Sequence, residues 1–224
     1  VLGDYHGRTL DPFVEKERPS QEDTIFSLGD FDTVESIREY LDLKERVGDS
    51  VEVGGNHDRA LLDGTKLRSR GVKTPEEIIQ DLENDEVSQA YLQSLLSEPN
   101  REFEIDGLNG ILTHAGLTGY TRRPDVSDSM KPFVYRLWEE EHFRDNFDLM
   151  HEQDYDLMIR GHEHYTEHAR RHRDSGELSF NLPEPGDEYE IDSGHRHIIT
   201  GGPWIKGDYL KIEPEERKMT FLEA

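Results

Sequence analysis

The chain has 224 residues, no cysteine, and 50 Asp and Glu against 26 Lys and Arg, a net charge of −24. Without cysteine there is no disulfide, thiol nucleophile or zinc–thiolate site, so any metal must be held by His, carboxylate and amide groups. No apolar run approaches the roughly 18 residues of a membrane span, and the acidity argues against broad binding to nucleic acid or anionic membranes, which needs a positive footprint.

Self-repulsion at this charge destabilises a compact fold in ordinary buffer. Molar salt shortens the Debye length to roughly 3 Å and removes most of that penalty. The composition therefore points to a salt-rich cytoplasm, that of a halophile or its virus, with an ordinary acidic protein as the alternative. Nine Phe, nine Tyr and regular apolar periodicity argue against disorder.

Val1-Leu2-Gly3 reads as the tail of a strand whose start is missing. Thr24–Leu28 is a short strand ending at Gly29-Asp30, and Thr33–Val47 has helical spacing, with Val34, Ile37, Tyr40 and Leu41 on one face. Val51–Val53 is a second strand, running into Gly54-Gly55-Asn56-His57-Asp58. Thr74, Pro75 and Glu77 sign the start of a helix, and another covers Val87–Leu96. Phe103–Ile105 and Gly110–Thr113 predict a hairpin around Asp106-Gly107. Pro132–Leu149 is helical, and Asp156–Arg160 is a strand before Gly161-His162-Glu163-His164. From about Tyr165 the texture changes to short β segments at Leu178–Leu182, His197–Thr200, Asp208–Ile212 and Met219–Leu222, which predict an antiparallel C-terminal sheet. One domain is expected, with a βαβ-type half over about 1–164 and a β-rich tail over about 165–224. Arg170–Arg173 is a small basic island, read as a solvated strand or turn.

Metal-ligand residue types gather at the strand ends. Asp4 and His6 follow the first strand, Asp30 the second, Asn56 and His57 the third; His114 follows Ile111–Thr113, and His162 and His164 follow Asp156–Arg160. Ligands of open α/β sheets bind outside the carboxyl ends of the strands, so these loops are placed to converge. Two divalent ions about 3.5–4 Å apart need a bridging carboxylate and further ligands each, and His with Asp suits Mn, Fe or Zn. Taken singly, His114 reads as a surface or capping residue, Asn56 as a turn former, and Asp4 or Asp30 as a helix N-cap. His142, His151, His168, His172, His195 and His197 have no motif around them and read as surface or core histidines.

Asp4-x-His6, Gly29-Asp30, Gly55-Asn56-His57-Asp58, the isolated His114 and Gly161-His162-x-His164, in that order, resemble the calcineurin-like metallophosphoesterase superfamily. The resemblance implies an α/β sandwich of two facing mixed β-sheets flanked by helices, and two divalent ions, Mn first and Fe or Zn as alternatives. It assigns Asp4, His6 and His164 to one ion and Asn56, His114 and His162 to the other, with Asp30 bridging. A metal-bridging hydroxide would attack phosphorus while His57 protonates the leaving group or clamps a phosphoryl oxygen, and Asn56 also touches substrate.

Within the superfamily the chain looks most like the small prokaryotic and phage members of the Ser/Thr phosphoprotein phosphatase branch. That implies phosphomonoesters of protein or nucleotide as substrates, with a phosphodiesterase or diadenosine-polyphosphate hydrolase as the alternative and a non-catalytic scaffold as a further one. The branch continues its second motif as Gly-Asp-x-x-Asp-Arg-Gly, whereas this chain reads Gly29-Asp30-Phe31-Asp32-Thr33-Val34. The Arg is absent and the Asp sits one place early. Asp32 or Asp58 is then left to orient His57, and Arg8, Arg59, Arg122 or Arg123 to meet the phosphate, with Arg59 best placed.

Overall fold

A computed structural model describes residues 1–3, 5–64, 73–117, 140–162, 166–201 and 207–224. In chain order its elements are α1 (Asp11–Glu17), β1 (Thr24–Ser27), α2 (Val34–Lys44), β2 (Asp49–Glu52), α3 (Asn56–Leu62), α4 (Pro75–Glu83), α5 (Glu86–Leu95), β3 (Asn100–Ile105) and β4 (Leu108–Thr113), then α6 (Glu140–Glu152), β5 (Leu157–Arg160), β6 (Glu167–His172), β7 (Leu178–Asn181), β8 (Glu188–Glu190), β9 (His195–Thr200), β10 (Asp208–Glu213) and β11 (Lys218–Glu223).

Local chemistry sets several boundaries. The Thr33 hydroxyl accepts from the Ser36 amide and starts α2, whose Ile37, Tyr40 and Leu43 are buried. At α4, Thr74 accepts from the Glu77 amide while Glu77 accepts from the Thr74 amide at 2.7 Å, so two orphan donors are satisfied reciprocally. Asp106 and Gly107 both have positive φ, 47° and 73°, as the two-residue turn between β3 and β4 requires.

One sheet has six strands in the order β3-β4-β5-β9-β6-β7, with β4, β5 and β9 parallel and the other pairs antiparallel. Facing it are the parallel pair β1-β2 and the antiparallel set β10-β11-β8. Leu2 joins these two pieces with a parallel bridge to Ser27 and an antiparallel bridge to Tyr209. Phe26, Leu28, Leu210, Met219 and Phe221 of this layer meet Leu112, Leu157, Ile159 and Ile199 of the six-stranded sheet in one buried cluster. Alternation along each strand sends the neighbouring residues outward: Ile111, Met158 and Ile198 pack under Phe143, Phe147 and Met150 of α6. On the other outer face α1, α2, α4 and α5 cover a cluster that includes Phe13, Ile37, Ile78 and Leu92. The layers are helix, sheet, sheet, helix, the expected fold class. Among the described residues no helix is long and apolar enough to cross a membrane.

The tail departs from expectation in part. Strands β8, β10 and β11 form an antiparallel three-stranded set, as expected, but β6, β7 and β9 extend the six-stranded sheet instead, with β9 parallel to β5. Ile198 and Ile199 are both wholly buried, on opposite faces, which suits an interior strand lying parallel to its neighbour. Of strand β6 the sequence marks only the basic island, because Ala169 is its only apolar residue, and α1 is too short to show a period. The part of the Pro132–Leu149 helix before Glu140 lies outside the described residues. The basic island is β6 and its turn, with Arg170 bonded to Ser179, Arg171 to Asp148 and Arg173 to Asp156.

His168 and His197, on adjacent strands β6 and β9, are wholly buried. His168 Nε2 lies 3.1 Å from His197 Nδ1, and His197 Nε2 lies 3.3 Å from the Asp192 carbonyl oxygen. The carbonyl can only accept, so His197 Nε2–H donates to it, and with both rings neutral His197 Nδ1 accepts from His168 Nε2–H. Burial, reinforced by His197 and Arg170, lowers the His168 pKa to about 3; burial likewise takes His197 to about 4, against opposing effects of Asp192. Both folded values lie below the unfolded value of about 6.5, so the unfolded chain binds more protons in acid. This stability is fully present above about pH 6.5 and is lost as pH falls toward the folded pKa values, by up to ~1.4 kcal/mol per pH unit for each ring. The melting temperature is expected to fall from pH 6.5 to pH 4.5, and to fall less in the His168→Phe, His197→Leu double variant. An equal slope in that variant places the acid lability elsewhere.

Candidate active site

Two loops at the carboxyl ends of neighbouring strands run side by side: the amides of Tyr5, His6 and Gly7 donate to the carbonyls of Gly29, Asp30 and Phe31 at 3.3, 2.8 and 3.2 Å. Their side chains alternate. Tyr5 and Phe31 turn inward, stack at 4.5 Å and pack against Tyr40, which anchors the loops; His6, Asp30 and Asp32 belong to the polar side, each less than a tenth exposed. His6, Asp30, Asp32 and His162 all have positive φ, between 45° and 68°. Four non-glycine residues in this region at one place mark strain that the surroundings must hold.

The third contributor is α3, whose first residue is Asn56 and whose N-cap is Gly55. A Cβ at Gly55 would lie 2.0 Å from Asp30 Oδ1 and 2.6 Å from His114 Cε1, so only glycine permits this approach. The fourth is His114, just after β4, tied to β5 by the hydrogen bond from the Gly161 amide to the His114 carbonyl. His162 follows β5.

Four donor atoms converge. Asn56 Oδ1 lies 2.8 Å from His162 Nδ1 and 3.2 Å from His114 Nε2; the two ring nitrogens are 3.2 Å apart, and Asp30 Oδ2 is 3.5 Å from His114 Nε2. Donors about 2.0–2.2 Å from one ion stand roughly 3.0–3.5 Å apart at coordination angles of 90–109°, so the spacing fits a shared cation. The tautomer fits as well: His114 Nδ1 donates to the Leu28 carbonyl at 2.6 Å, which turns the Nε2 lone pair to the cluster. Donor atoms of His6, Asp30 and His57 lie within 4.8 Å of one another on the adjoining side.

Asp32 links this side together. Its Oδ2 lies 2.9 Å from His6 Nδ1 and its Oδ1 2.5 Å from His57 Nδ1. Burial opposes ionisation of Asp32, yet hydrogen bonds from His57 and His6 outweigh it and its pKa is lowered. Burial also opposes the charged form of His57, but the Asp32 hydrogen bond and the charges of Asp30, Asp32 and Asp58 raise its pKa to about 9. Asp30 is 2 % exposed, and burial raises its pKa despite the charges of His57 and His6; such a carboxylate is improved as a site for positive charge by its own desolvation.

Of the sequence-predicted residues, His6, Asp30, Asp32, Asn56, His57, His114 and His162 come together. Asp4 and His164 lie outside the described residues, as do Arg122 and Arg123. Asp58 does not reach the His57 ring by hydrogen bond: its carboxylate takes three backbone amides, and Asp32 holds the ring instead. Arg59 is turned to Asp63, with Nε 2.9 Å from Oδ2, and Arg8 is exposed. In a helix, successive residues are about 100° apart, so Arg59 points roughly 200° around α3 from His57. The sequence reading also missed that Gly-Asn-His-Asp opens a helix; Asp58, third after an N-cap glycine, was the available signal.

No family model matches the chain, and no curated protein is similar to it in sequence. Solved structures are similar in fold. A metallophosphoesterase from Sphaerobacter thermophilus aligns with a TM-score of 0.68 at 20% identity, over 100% of this chain and 86% of that one. A hypothetical protein from Pyrococcus horikoshii OT3 aligns with a TM-score of 0.56 at 12% identity, over 96% of this chain and 79% of that one. The chain has the fold of a metallophosphoesterase.

Proposed function

We propose that this chain is a calcineurin-like metallophosphoesterase that hydrolyses phosphomonoesters, on phosphoprotein Ser/Thr or nucleotides, at a pair of divalent ions. The observation that carries the reading is the convergence of Asn56, His114, His162 and Asp30 at 2.8–3.5 Å beside the Asp32–His57 pair.

Asn56, His114 and His162 would hold one ion, His6 with Asp4 and His164 the other, and Asp30 would serve both. Such ions supply Lewis acidity toward phosphoryl oxygens and lower the pKa of water to near neutrality. The remaining work falls to the chain. Asp32 accepts from His57 Nδ1 and thereby aims Nε2, the atom that would give its proton to the departing oxygen. The same carboxylate accepts from His6 Nδ1, which fixes His6 as a ligand through Nε2. Burial of Asp30, His6 and His114 excludes bulk water and strengthens every charge interaction inside.

The alternative is a diesterase or a diadenosine-polyphosphate hydrolase. Arg59, the best placed candidate for the phosphate, is paired with Asp63, and a diester monoanion asks less of such a cation than a monoester dianion does. Net charge −24 supports a salt-rich setting, so assays belong in molar salt. With Mn, Fe or Zn supplied in turn, hydrolysis of phosphopeptides and nucleoside monophosphates faster than of bis-p-nitrophenyl phosphate is expected. Preference for the diester or for dinucleotide polyphosphates favours the alternative, and inactivity in a metal-loaded protein favours a scaffold.

A further inference from the structure

Asp58 is wholly buried in the first turn of α3. Its Oδ2 accepts from the amides of Asp30 at 2.7 Å and Gly55 at 2.8 Å, and its Oδ1 accepts from the amide of Phe31 at 2.9 Å. Two of these amides are consecutive and belong to the turn in which Gly29, Asp30 and Asp32 all have positive φ. Consecutive amides directed at one anion form a concave nest, and charge-assisted bonds of this kind are about twice as strong as neutral ones. Asp30 completes a reciprocal link, its Oδ1 accepting from the His57 amide at 2.8 Å. The packing leaves no slack: a Cβ at Gly29 would lie 2.5 Å from the Gly55 nitrogen and 2.7 Å from Asp58 Oδ2.

We propose that Asp58 is a positioning residue that clamps the Gly29–Asp32 turn against the start of α3 and so sets the distance of Asp30 from Asn56 and His114. The inference rests on the metal-site reading above. Without the clamp the left-handed turn relaxes toward ordinary backbone conformations, and Asp30 moves away although every ligand is still present. Asp58→Asn is the nearest isostere; it puts an NH2 group against an amide N–H that now meets an oxygen.

The test is a Mn²⁺ titration by calorimetry of the full chain and its Asp58→Asn variant in molar salt, with circular dichroism and melting of both. The expected result is a folded variant whose Mn²⁺ dissociation constant is raised about 10–100-fold, the usual consequence of losing a residue that orients metal ligands. A merely structural role lowers the melting point and leaves the dissociation constant of the folded protein unchanged; that outcome overturns the proposal. Should the variant not fold, hydrogen exchange in the wild-type chain without added metal decides: strong protection of the Asp30, Phe31 and Gly55 amides supports the clamp, and exchange at the rate of an open loop overturns it. Wild-type protein that takes up no Mn²⁺ overturns the metal-site reading and the clamp together. Wild-type protein that binds Mn²⁺ and cleaves no phosphoester, while Asp58→Asn binds it more weakly, upholds the clamp and overturns only the hydrolase reading.

Discussion

Asp30→Asn is expected to reduce bound metal from about two ions per chain to one or none and to cut turnover by on the order of 10³ or more. A single preorganised electrostatic contact is worth roughly 10²–10³ in rate, and on the proposed reading Asp30 would serve both ions at once. The substitution is nearly isosteric, and the Asn oxygen can still accept the His57 amide that Asp30 Oδ1 accepts at 2.8 Å. What is lost is charge. Burial is the largest influence on Asp30 and disfavours its ionised form, so without metal the carboxylate is a liability to the fold. The Asn variant is therefore expected to melt higher than wild type in chelator and to gain less when Mn²⁺ is added. The two signs together identify a residue held at a cost to stability for the ions it binds. Metal analysis after dialysis, melting curves with and without Mn²⁺, and turnover give three readings; full activity in the variant removes Asp30 from the site.

Asp4, Asp30, Asn56 and His162 were legible because each directly follows a glycine in the sequence, where chemistry and turn formation coincide, whereas His114 has no glycine beside it and was legible only through the ordered set. The helix–sheet–sheet–helix order was legible through the resemblance more than through periodicity. Interactions with backbone were not. Asp58 and Asp32 look equivalent as partners for His57, and only coordinates separate them: Asp32, in a left-handed conformation at φ 63°, spans two imidazoles, while Asp58 meets three amides that no side-chain pattern announces. Arg59 shows a related difference between sequence and structure. Proximity in sequence to His57 suggested a shared site, but the chain enters a helix at Asn56, and the i,i+4 partner Asp63 takes the guanidinium. The tail misled because short strands with turn signals do not say which sheet they join. Strand β9 is placed by the burial of both its faces, a property of the assembled layers.

His57→Ala is expected to lower turnover on phosphoserine peptides by roughly 10²–10⁴, the range for loss of a general acid, while metal content stays at the wild-type level. The comparison that decides its role is between leaving groups. A serine alkoxide needs a proton as it departs, whereas p-nitrophenolate leaves readily without one. If His57 is the acid, the loss is much smaller on p-nitrophenyl phosphate than on phosphoserine; equal losses on both assign His57 to holding a phosphoryl oxygen. Loss of metal makes it a ligand, an outcome that the closeness of its ring to His6 and Asp30 puts in play. Asp32→Asn separates these further, because one carboxylate serves both rings. An amide offers one acceptor oxygen to two N–H donors, so the variant should show part of the His57 leaving-group effect together with weaker metal binding on the His6 side. A variant that shows the first without the second would mean that His6 keeps its orientation without Asp32, and that the carboxylate belongs to the acid alone.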